Sequence, residues 1–184
     1  MPRDATPVTL QDHAEDVVTV EPHDPRWTRR AKRDIETLRL ELEVVTLDIE
    51  HAGSTSVPGL PAKPTVDLLL GTHACPWDER HDDTLSALGY VFYKAPNTHW
   101  RMYLKSWRHL RRGYHLHVVE HDRAHWNDHL RFRDDLRAHP AQAERYGALK
   151  QDLAERHATT RGAYKQAKSA LVRELEDKAP EWHP

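Results

Sequence analysis

Apolar residues recur along this chain with two periods, and their alternation predicts a mixed order of helices and strands. Trp27, Ala31, Ile35, Leu38 and Leu42 follow one another at helical spacing, which predicts an amphipathic helix over 25–42. Asp24 supplies a capping carboxylate just before it, and Pro25 suits the first helical position. Val45, Leu47, Ile49 and His51 alternate with Thr46, Asp48 and Glu50, the two-residue period of a strand. A loop rich in glycine, serine and proline fills 53–64. The apolar run 65–70 then reads as a short strand bounded by Gly71, and it carries one carboxylate, Asp67.

Further on, 76–88 has helical character with Gly89 as a stop. Runs 90–94 and 100–104 are of β type, joined by a turn through Pro96 and Asn97. A basic loop with Arg108, Arg111 and Arg112 leads to a strand over 114–120, which sets His115 and His117 on one face. The remainder is helical in three pieces, 123–138, 141–157 and 161–177, punctuated by Pro140 and Gly162. Residues 17–21 form a short β-type run, and 1–16, without periodicity, read as a flexible tail. Trp27, Trp126 and Tyr146 read as core. The expected architecture is a single α/β domain over 17–184, a mixed sheet with an early helix and a late helical bundle packed on it.

Composition narrows the function. A chain of 184 residues, 38% hydrophobic and 30% charged, suits one well-solvated domain with a real core. No run of about 18 apolar residues exists, and the polar, acidic start lacks a signal-peptide core, so no membrane is expected and the cytoplasm is the expected location. The lone Cys75 excludes an internal disulfide, and nothing local would activate it as a nucleophile. A formal net charge of −2 does not advertise nucleic acid as the main ligand. RNA binding through Arg108, Arg111 and Arg112 is weakly supported, because the nearby aromatics lack a stacking pattern. Fifteen histidines stand out, and they read either as surface residues or as a pH sensor.

The chemistry concentrates between Glu50 and Asp67. A strand ends in Gly53 and Ser54, a loop with Thr55, Ser56 and Lys63 follows, and the next strand presents Asp67. Glycine lets backbone amides approach a ligand, and serine and threonine hydroxyls add donors, so the loop suits phosphate oxygens. A carboxylate on the adjoining strand could hold Mg²⁺ bridging to those phosphates. The alternative is a tight loop whose hydroxyls satisfy their own backbone. Asp67 favours a site, since a carboxylate within an apolar strand is expensive to bury without a partner.

The segment "IEHAGSTSVPGLPAKPTVDLLLG", with "HDPRW", "HLHVV" and "FRDDLRAHPAQAERYGALK" in order, resembles the GrpB family over about residues 17–177. That resemblance implies the polymerase β-like nucleotidyltransferase fold, in which a Gly-Ser loop cradles nucleotide phosphates and carboxylates on neighbouring strands bind divalent metal. Some members are fused to dephospho-CoA kinase, but no P-loop occurs here and kinase activity is excluded. By position, Gly53, Ser54, Thr55 and Ser56 would hold phosphate, and Asp67 would be the metal carboxylate. Tyr164 and Lys168 match the family's C-terminal helix, and Lys168, like Lys63, could meet a phosphate.

This chain departs from the active transferase pattern. The second acid two residues after Asp67 is replaced by Leu69, and His115 or His117 stands where a third carboxylate would be. Glu50 could compensate in part, and Glu50 or His117 could orient or deprotonate an acceptor hydroxyl. One or two carboxylates with imidazoles fit Mg²⁺ poorly and Zn²⁺ or Mn²⁺ better. The His-x-His pair could equally hydrogen-bond substrate or Asp67. Arg131 and Arg133 are expected to pair on the helix surface with Asp134 or Asp135. The expected function is binding of a nucleotide or nucleotide-like phosphorylated ligand, with metal-dependent transfer to an unknown acceptor. The alternative is a non-catalytic accessory domain with a degenerate pocket that stabilises a protein partner.

Overall fold

The computed structural model describes residues 18–43, 45–73, 77–97, 99–107, 110–160, 162–164, 166, 167 and 169. The 1–16 tail, Cys75, Arg108, Lys168 and most of the 161–177 helix lie outside the described residues, as do the side chains of Arg111 and Arg112.

Helix α1 spans Arg26–Glu41 and strand β1 Thr46–Ala52; a single 3-10 turn, Ser54–Ser56, follows. Then come β2 Val66–Thr72, α2 Glu79–Ala87, β3 Val91–Asn97, β4 Trp100–Trp107 and β5 Leu110–Glu120. Helices α3, Ala124–Ala138, and α4, Pro140–Arg156, complete the described elements. The strands form one five-stranded sheet in the order β1-β2-β5-β4-β3. Strands β2 and β5 run parallel and the other pairs antiparallel, so the sheet is mixed.

Asp24 begins α1 as its position requires: its carboxylate accepts from the Arg26 amide at 2.8 Å, and Pro25 is already helical. The helix buries Trp27, Ala31 and Leu38 against Ile49, Leu68, Leu70, Leu116 and Val118. The alternate residues of the central strands face the other way, where Ala52, Leu69 and Val119 meet Trp126 and Leu130 of α3. Strand β2 is covered on both faces, which is why it reads as a continuous apolar run. Val57 and Leu60 pack with Leu136 and Tyr146, so α3 and α4 also clamp the loop after β1.

Three segments differ from expectation. Residues 17–21 were expected to be a β-type run, but 18–21 form no strand; Glu21 makes only an isolated bridge to Ala62. Helix α2 starts at Glu79 because Asp78 caps it, accepting from the Arg80 amide. The segment expected to be a basic loop is the start of β5, and Arg111 and Arg112 lie in that strand. Its hairpin with β4 closes tightly, Trp107 opposite Leu110 and Ser106 opposite Gly113. A side chain at Gly113 would overlap the Lys105 carbonyl, so only glycine fits that crossing. Among the described residues, no helix is long and apolar enough to cross a membrane.

Candidate functional site

Asp67 sits on β2 directly between Ala52 of β1 and His115 of β5. Its carboxylate lies against Gly53, whose φ of +68° favours glycine and whose missing Cβ leaves the room that Asp67 occupies. The strand register thus brings the Gly-Ser turn and Asp67 together, on the sheet face covered by α3.

Two imidazoles converge on the same carboxylate. His115 Nδ1 lies 3.1 Å and His117 Nε2 3.9 Å from Asp67 Oδ1. Burial works to raise the Asp67 carboxyl, but the hydrogen bond from His115 and the nearby His117 ring outweigh it and hold the group well below the usual carboxylate range. Asp67 is therefore an anion at neutral pH. The tautomers follow from the partners. His115 donates from Nδ1 to the carboxylate, which leaves its Nε2 with a lone pair. The Trp100 indole N–H donates to His117 Nδ1 at 3.1 Å, which leaves Nε2, on the side of Asp67, to carry the ring's N–H.

Helix α3 delivers one stripe of side chains across this face: His125, His129, Arg133 and Arg137, each four residues after the last. The His125 and His129 rings lie 4.3 Å apart, and His117 lies 6.0 and 5.5 Å from them. Burial pushes His125 down to about 3 with help from His129 and His117, and burial likewise lowers His129, so both are neutral. Arg133, 8% exposed, bonds Glu50 Oε2 at 2.6 Å and the His51 carbonyl at 3.1 Å. Arg137 donates to the Ser56 carbonyl at 2.9 Å. The two arginines thus pin the strand end and the turn.

The remaining expected site residues divide. Thr55 donates to the Thr65 carbonyl and meets His51 Nε2, while Ser56 donates to the Gly53 carbonyl. Both hydroxyls are used within the loop. Ser54, half-buried, makes no side-chain hydrogen bond to the described residues. Lys63 Nζ stands 5.8 Å from the Tyr164 ring centre. Glu50 is committed to Arg133, and the donor groups close enough to share a cation at Asp67 are His115 and His117. Arg133 pairs with Asp134 as expected but is buried and also reaches Glu50, while Arg131 pairs with Asp128.

Leu69 is fully buried beside Ala52, Val119, Trp126 and Leu130. A carboxylate there would be cut off from water, so position 69 supplies no solvated second acid beside Asp67. Sequence reading missed Trp100, His125 and His129. The signal was the four-residue spacing of two histidines on a helix.

Comparison with known proteins identifies the family and the fold. The chain is 38% identical over 161 residues to UPF0157 protein PA4798 of Pseudomonas aeruginosa, covering 86% of this chain and 66% of the relative. It is 31% identical over 160 residues to UPF0157 protein YqkA of Bacillus subtilis, covering 87% of this chain and 46% of that one. The chain therefore spans from just under half to about two thirds of these relatives' lengths. The crystal structure of conserved protein GrpB from Enterococcus faecalis superposes with a TM-score of 0.76 at 30% identity, over 87% of this chain and 96% of that one. A structure of the GLD-2/RNP-8 complex superposes with a TM-score of 0.53 at 14% identity, over 83% of this chain and 51% of that one, and shows the nucleotidyltransferase fold. Residues 17–178 match the family described as GrpB protein, and the chain belongs to that family.

Proposed function

We propose that the chain binds a nucleotide or nucleotide-like phosphorylated ligand at the turn 53–56 beside Asp67. The observation that carries this reading is the juxtaposition of Gly53 and Asp67, with the Ser54 hydroxyl left for a ligand. Ser54 would donate to phosphate, with the adjacent turn held in place by Arg133 and Arg137. An anionic Asp67 repels phosphate, so the two must share a cation. A divalent ion held by Asp67 with His115 and His117 would serve, and that mixed donor set suits Zn²⁺ or Mn²⁺ better than Mg²⁺.

The burial of Leu69 supports a binding role over two-metal transfer. The expected bases are engaged: a cation held by His115 would occupy the one lone pair of that ring, and Glu50 is tied to Arg133.

A thermal-shift screen of nucleotides and phosphorylated small molecules, with Mn²⁺ or Zn²⁺ present, tests the reading. A true ligand at 100 times its Kd adds about 2.7 kcal/mol of stability. If no phosphorylated compound shifts the melt, the loop is structural and an accessory role takes its place.

A further inference from the structure

His125 and His129 belong to no part of the phosphate turn, yet they are placed with care. They stand one helical turn apart on α3 and face His117 of β5. His129 Nδ1 donates to the His125 carbonyl at 2.8 Å, which fixes the ring and leaves the lone pair on Nε2. His125 Nε2 is buried and makes no hydrogen bond to the described residues. A buried polar nitrogen without a partner calls for an occupant. One ligand nitrogen from each of His117, His125 and His129 lies within 4.8 Å of the others.

We propose that His117, His125 and His129 bind a borderline divalent cation of the Zn²⁺ type, beside Asp67. Tetrahedral coordination with bonds of about 2.0–2.1 Å sets ligand nitrogens roughly 3.3 Å apart, so modest side-chain rotations close the set. Three imidazoles select Zn²⁺, Co²⁺ or Ni²⁺ over Mg²⁺ and Ca²⁺. Three protein ligands also leave a fourth position, and the Asp67 carboxylate stands 3.9 Å from His117 Nε2 to fill or border it. The inference does not need phosphate to bind, since none of the three residues belongs to the turn; it moves the one cation beside Asp67 from His115 to the α3 imidazoles, with His117 common to both sets.

Trp100 makes the proposal sharper. Its indole N–H holds His117 Nδ1 as an acceptor, whereas ligation through Nε2 requires the proton to move to Nδ1. Metal binding must therefore break the Trp100 hydrogen bond. Trp100→Phe removes that competition and keeps an aromatic ring against His125.

The test is titration of EDTA-treated protein with Zn²⁺ by calorimetry and with Co²⁺ by visible absorption, with no nucleotide present. One ion per chain is expected, with the intense Co²⁺ bands of a tetrahedral site and no response to Mg²⁺. His129→Gln and His125→Ala should each weaken binding on the order of 100-fold. Trp100→Phe should tighten it about fivefold, the worth of one hydrogen bond. His139→Ala, on a half-exposed ring outside the cluster, should change nothing. Binding that survives His129→Gln but is lost in Asp67→Asn would overturn the proposal and place the cation on the Asp67 group alone. Absence of stoichiometric Zn²⁺ binding, or loss of affinity in Trp100→Phe, would overturn it as well.

Discussion

The Asp67 carboxylate fills the space in which residue 53 would carry a side chain, so Gly53 and Asp67 are fitted to each other across β1 and β2. Gly53→Ala should therefore act twice, through strain at φ +68° and through displacement of Asp67 from His115. The two effects together cost about 2–5 kcal/mol. Denaturant unfolding checks the size, and a loss below 0.5 kcal/mol would mean that the turn and Asp67 are not in contact.

Leu69 stands where the active transferase pattern would have a second acid. Leu69→Asp restores the missing acid by formula, but it puts a carboxylate among Ala52, Val119, Trp126 and Leu130. It should destabilise by roughly 3–5 kcal/mol and confer no Mg²⁺-dependent transfer. A variant as stable as wild type would show that position 69 opens to the site.

Arg133 and Arg131 sit two residues apart and should behave differently. Arg133 is buried against Glu50, so Arg133→Met leaves Glu50 and the His51 carbonyl without their donor and should cost about 1–3 kcal/mol. Arg131→Met breaks only a partly exposed pair with Asp128 and should stay within about 0.5 kcal/mol. Equal melting temperatures for the two variants would contradict the buried network.

Much of this fold was legible in the sequence because burial leaves a period. Strand β2 reads as apolar because helices cover both its faces, and His115 and His117 share a face because strands alternate. The Arg133–Glu50 pair was not legible: it joins residues 83 apart, and a local pattern shows only the Asp134 next door. The His125–Arg137 stripe was present as spacing, but polar residues four apart on a helix read as a solvent face until β5 is known to lie beneath them. Thr55 and Ser56 looked like ligand donors, and their hydroxyls turn inward to the loop's own carbonyls.

The buried histidines set an acid limit on the metal-free protein. Burial pushes His51 down to about 4 and His125 to about 3, whereas both titrate near 6.5 when unfolded. Unfolding takes up protons only below that value, so stability is level above pH 6.5 and falls from there toward pH 4. Each histidine contributes about 1 kcal/mol per pH unit over this window. Asp67 adds to the loss only near and below pH 4, where the unfolded carboxyl protonates while the folded one does not. Calorimetric melts should drop by roughly 5–10 °C between pH 7.5 and pH 5. A constant melting temperature over that range would contradict the buried, neutral state of these rings.

The central claim is that the turn beside Asp67 holds phosphate, and calorimetric titration of a nucleoside triphosphate, with Mn²⁺ present, into wild-type and Ser54→Ala protein tests it most directly. The account predicts saturable binding of one ligand per chain, weakened about tenfold by loss of the Ser54 hydroxyl, with the melting temperature of the variant unchanged. Equal affinity in the two proteins would contradict it, as would the absence of any saturable heat.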